Sequence, residues 1–102
     1  MKLKPTKMEY DKFIKLMKEL QPSEKLSEIE CAIWYILKDN WNMAHKTVQN
    51  LSTESACWLH AYLHRVEGDI GNANYWYKKV HKKPTIQPLE SELNEIIKLV
   101  FL

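Results

Sequence analysis

Shifted by 29 residues, the chain falls on itself. Trp41 lands on Ile70, Ala44 on Ala73, Val48 on Tyr77 and Leu51 on Val80. Upstream, Ala32 lands on Ala61, Ile33 on Tyr62, Trp34 on Leu63 and Leu37 on Val66. Between these segments Asp39-Asn40 falls on Gly68-Asp69. Self-similarity at a period of about 20–50 residues marks stacked helical hairpins. The chain is therefore expected to hold two tandem helix–turn–helix units. Small residues at matched positions, Ala61 and Ala73 in the second unit, let paired helices approach closely.

The local patterns give the remaining elements. In residues 6–20 Tyr10, Phe13, Ile14, Leu16, Met17 and Leu20 cluster at the helical period, with Lys7, Lys12, Lys15 and Lys18 opposite. Ser27 with Glu30 is a capping box opening the first hairpin, residues 27–51. Its first helix carries Ile29, Ile33, Ile36 and Leu37, and its second runs from Trp41 to about Leu51. The second hairpin, residues 54–83, turns at Glu67-Gly68-Asp69. Gly68 supplies the positive φ that ends a helix, and Asp69 can cap the next. Pro88 suits the first turn of a last helix, residues 88–102, with Leu89, Leu93, Ile96, Ile97 and Val100 on one side. No alternation of strand type occurs. The predicted fold is all-α, about six helices in one domain. Two repeats are fewer than the roughly three usually needed, so the first and last helices have to cap the stack.

Composition narrows the function classes. A net charge of +2 on 102 residues does not by itself imply a nucleic-acid protein. Cys31 and Cys57, far apart in sequence, form no CxxC motif and read as reduced, buried, small hydrophobes. The first residues hold no apolar run of signal-peptide length, and no segment has the length of a membrane span. The expectation is a cytoplasmic protein away from membranes.

Each hairpin resembles a shortened tetratricopeptide repeat. Ala32 or Ala61 is the small residue of its first helix, and Ala44/Val48 or Ala73/Tyr77 the small–large pair of its second. The period is shorter than that family's, about 34 residues, and the Leu-Gly pair of its first helix is missing. The central stretch also resembles an uncharacterised family of small bacterial proteins. The shared residues are Ala44-His45, Trp58-Leu59-His60-Ala61, His64-Arg65, Glu67-Gly68-Asp69, Asn72-Ala73 and Tyr75-Trp76-Tyr77. That resemblance implies a common fold and no known activity.

The polar residues of this stretch are the candidate site. With His60 at 0° on its helix, His64 lies at about 40° and Glu67 at about −20°. Asp69, Asn72 and Tyr75 follow across the turn, and His45 can contribute from the preceding hairpin. Histidines four apart can share one ion, which makes His60 and His64 a candidate metal pair. Cys57 stands about 10 Å of helix rise from His64 and cannot complete that set, so a third ligand has to come from His45, Asp69 or Glu67. The plainer alternative is a packed polar network joining the hairpins.

Three functions fit. The first is a binding or scaffolding module that takes a protein or small ligand in a groove lined by His45, His60, His64, Glu67, Asp69, Asn72 and Tyr75. It needs no cofactor. The second is a small metal- or histidine-dependent enzyme of hydrolase type, with a divalent ion. The third is a nucleic-acid accessory protein using Lys78, Lys79, Lys82 and Lys83; those cations more simply complement a helix C-terminus. Catalytic residues are not assigned. The apolar last helix leaves a homodimer open.

Overall fold

The computed structural model describes residues 8–102. Six α-helices make up the fold: α1 Tyr10–Lys15, α2 Glu28–Leu37, α3 Trp41–Val48, α4 Glu54–Val66, α5 Ile70–Lys79 and α6 Leu89–Phe101. A 3-10 turn, Leu16–Lys18, extends α1. No strand occurs among the described residues. The start of the first helix expected at residue 6, and Lys7 on its solvated side, lie outside them.

The hairpin pairs are α2 with α3 and α4 with α5. Both turns have one construction. Helices α2 and α4 end in a left-handed residue, Asp39 at φ 60° and Gly68 at φ 82°. The N–H of Asp39 then donates to the Ile36 carbonyl and that of Asn40 to Tyr35; in the second turn Gly68 donates to Arg65 and Asp69 to His64. These are Schellman closures. The next residue caps the following helix: the Asn40 side chain accepts from Met43 N–H, and Asp69 from Asn72 N–H. The 29-residue register is thus present in the backbone of the turns.

Element ends differ from expectation where a local hydrogen bond competes with the helix. The first α-helix stops at Lys15, where a 3-10 turn takes over; the Leu16 carbonyl accepts from the Glu19 N–H and from the Trp34 indole N–H, both at 3.1 Å. Ile14 and Leu20, expected inside, are exposed. Helix α3 ends at Val48, which leaves Leu51 in the following loop. Helix α5 ends at Lys79, short of residue 82, because His81 adopts φ 57° and closes a third Schellman turn, with Lys82 N–H on the Tyr77 carbonyl. Pro88 is the cap residue of α6 and Leu89 its first helical one. The Ser27–Glu30 capping box forms as expected.

Helix α4 is the centre. Every residue from Ala56 to His64 is buried, because α3, α5 and α6 pack around it. Ala61 and Ala73 are both buried within the second hairpin. Helix α6 also reaches α2, and Phe101 at its end packs on Phe13 of α1 with ring centroids 4.7 Å apart. First and last helices therefore close the core together. The apolar stripe of α6 is consumed here: Ile96, Ile97, Val100 and Phe101 are buried. Trp34, expected at an edge, is buried, and Cys31, expected inside, is half-buried.

One buried carboxylate ties α6 to the second hairpin. Glu92 is 1% exposed. Its Oε2 accepts from the Trp58 indole N–H at 3.0 Å and the Tyr77 hydroxyl at 2.6 Å. Its Oε1 accepts from Arg65 at 2.8 Å, and the same guanidinium donates to the Gln87 carbonyl. Burial and this carboxylate push the Tyr77 phenol well above its ordinary pKa.

Two outcomes test this fold. Replacing Gly68 by Val should cost about 1–2 kcal/mol in denaturant unfolding, since β-branched residues resist positive φ. An added Cβ there meets nothing within 4 Å, so the loss reports the backbone alone; an unchanged midpoint would refute it. Glu92→Ala should cost about 3–5 kcal/mol, because it strands the Arg65 charge in a buried setting. A loss below about 1 kcal/mol would mean that solvent already screens the pair.

Candidate functional site

Three histidines converge where the hairpins meet. His60 and His64, one turn apart, project from α4 toward His45 on α3. The Nε2 atoms of His60 and His45 lie 3.1 Å apart. One ring nitrogen from each of the three lies within 4.8 Å of the others. His60 and His64 are buried, and His45 is half-buried.

Aromatic walls fix the rings. Trp76 of α5 stacks on His60 at 3.9 Å between centroids, 16° from parallel. Trp41 stacks on His45 at 4.8 Å and 8°. Trp41 is itself anchored, its indole N–H donating to the Leu63 carbonyl at 2.7 Å. Both tryptophans are half-buried. The sequence reading placed them on the inner faces as core and missed this role. The signal was present: Trp41 stands four residues before His45, the spacing that puts two side chains together on one helix face.

Glu67, at the end of α4, accepts from His64 Nδ1 at 2.7 Å. That bond fixes the His64 tautomer and leaves Nε2 as the nitrogen with a free lone pair. Burial, then the neighbouring His45 and His64, lowers the His60 pKa to about 4. The same causes, burial and His64, lower that of His45, with Glu67 partly opposing. Burial thus disfavours the charged forms of His60 and His45. Among the described residues, the buried His60 Nδ1 meets no hydrogen-bond partner. With Nε2 facing His45, either its N–H or its lone pair goes unmet.

The remaining candidates sit apart from this centre. Asp69 lies near His64 and Glu67, but its carboxylate caps α5. Its two oxygens accept from the Asn72 backbone and side-chain amides at 3.2 and 2.7 Å. Asn72 is thereby spent on the cap. Tyr75 is exposed, its ring against Trp76 and beneath Lys79 Nζ, and it does not join the histidines. Among the described residues, hollows reach α4 at Trp58 and at Tyr62, Leu63 and Val66, away from the histidines. Three surface hollows, of about 220, 120 and 390 Å³, are lined by other residues. Two of the four lysines after α5's core turn are held over aromatic rings: Lys79 over Trp76 and Lys82 over Trp58, at 5.2 and 3.9 Å. The cluster occurs at the junction of the two units and is not repeated at the offset of 29. At the offset of 29, His60 corresponds to Cys31, His64 to Tyr35 and His45 to Asn74.

The lowered histidine pKa values set a pH dependence. Unfolded histidines take up protons near pH 6.5, whereas His60 does so only near pH 4. Folding is thus opposed by protonation between those values. Stability should be full above about pH 6.5 and fall by up to about 3 kcal/mol as the pH approaches 4. His60→Phe should flatten this slope relative to wild type in denaturation measured across that range. An unaltered slope would show that other groups carry it.

The chain matches no protein-family model, no curated protein and no solved structure, so the reading of this site rests on its own geometry.

Proposed function

We propose that the protein is a small ligand-binding module on tetratricopeptide-like hairpins, with His45, His60 and His64 as its capture site. One observation carries this reading: a buried histidine, His60, keeps a ring nitrogen unpartnered inside a cluster of three imidazoles. A structural network satisfies its members, and each buried polar group left unmet costs about 1–3 kcal/mol. Residues that break the local rules of folding stability are expected at functional sites. The clustered nitrogens also suit the hydrolase-type alternative. Against it, among the described residues no hydroxyl or thiol is hydrogen-bonded to these rings to serve as nucleophile. Binding is therefore the better-supported function.

A site retained for binding is a stability cost, and removing it should relieve that cost. His60→Phe keeps the stack on Trp76 and deletes the unmet nitrogen. Its unfolding free energy at pH 7.5 should equal or exceed wild type by up to about 1–2 kcal/mol. A loss larger than about 1 kcal/mol would make the cluster a structural network.

A further inference from the structure

The site reading leaves the ligand's chemistry open, and the geometry of the cluster narrows it. Two nitrogens 3.1 Å apart leave no room for an organic group between them. An occupant that touches all three rings is the size of a single ion. With His64 Nδ1 engaged by Glu67, the clustered ring nitrogens make an all-nitrogen ligand set, which suits a cation of borderline softness.

We propose, resting on the binding role given above, that His45, His60 and His64 form a three-histidine site for a divalent transition-metal ion of the zinc class. Zinc–nitrogen bonds run about 2.0–2.1 Å, so two ligands on a tetrahedral ion stand about 3.3 Å apart. The His45–His60 separation of 3.1 Å is already near that value. The three ligand atoms lie within 4.8 Å, so the widest pair has to close by no more than about 1.5 Å. Small ring rotations supply such a shift.

The second shell agrees. Metal-binding histidines commonly donate their other N–H to a carboxylate, which orients the ring and raises its basicity. Glu67 does this for His64 at 2.7 Å. Trp41 and Trp76 hold the other two rings by stacking. Calcium and magnesium prefer oxygen ligands and do not suit an all-nitrogen set. The grouping of His64, Glu67 and Asp69 is a poorer site, because its oxygens already serve His64 and Asn72. With the ion on Nε2, the His60 proton stays on Nδ1 without an acceptor. Affinity then rests chiefly on His45 and His64. Three protein ligands leave the fourth tetrahedral position to water or an incoming ligand atom.

The test uses full-length protein stripped with chelator and dialysed. Zinc(II) is titrated calorimetrically, and cobalt(II) is followed by its visible d–d absorption. Wild type should take up one ion per chain, with tetrahedral cobalt bands, a melting temperature that rises with zinc, and no response to calcium or magnesium. His45→Gln, at the half-buried position, and His64→Ala should each weaken zinc at least tenfold. Glu67→Gln should weaken it about 10-fold or more. His81→Ala, at the one histidine outside the cluster, should change nothing. Circular dichroism confirms that each variant is folded, and His45→Gln keeps the test valid should His64→Ala fail to fold. Uptake well below one ion per chain, or uptake undiminished in His45→Gln, would overturn the assignment. Two failures are distinguishable. A stabilised His60→Phe with no zinc uptake removes the metal and keeps the binding site; a destabilised His60→Phe with no uptake removes both.

Discussion

The buried carboxylate of Glu92 is the interaction on which the rest depends. Neither hairpin can bury all its apolar surface alone, so the last helix has to lie across them in one register. Leucine and isoleucine contacts give area but little directional preference. Glu92 supplies direction, since its two oxygens accept from Trp58 and Arg65 on α4 and from Tyr77 on α5. Such a group is costly to bury alone. Met by three donors, it favours one docking of α6 and penalises slippage by a turn.

That docking decides the environment of α4. With α6 on one side and α3 and α5 on others, a helix bearing two histidines and an arginine becomes the most enclosed element. Arg65 is answered by Glu92. His64 is answered by Glu67. His60 is answered only on one ring nitrogen. Two of these three polar side chains are thus fully answered, and the third is left short of a partner. The same enclosure lowers the pKa values of His60 and His45.

Cluster and repeat are related by position and not by symmetry. The duplicated turns place α5 beside α4 much as they place α3 beside α2. The histidines, however, occur only at the junction of the units, where His45 ends one hairpin and His60 and His64 begin the next. A duplicated scaffold here carries a single site, at the junction of its units.

Local chemistry alone determined the helices, their pairing and their turns. The period of the apolar residues, the Ser27–Glu30 box, the caps at Asn40 and Asp69 and the glycine at position 68 act within a few residues, so each was legible in the chain. Helix ends were less so where His81 took the left-handed conformation and where a 3-10 turn replaced the continuation of α1. The candidate site was legible in part. The spacing of His60, His64 and Glu67 lies on one helix and follows from its pitch. That His45 joins His60 and His64, that Trp41 and Trp76 are their walls, and that Asn72 and Tyr75 stand aside depend on how α3 and α5 pack against α4. Tertiary structure also decided the role of Glu92. In the chain it reads as an acid near a helix N-terminus; only three donors arriving from 15, 27 and 34 residues away make it a buried anchor. Contacts between distant residues are set by packing, and no local pattern encodes them.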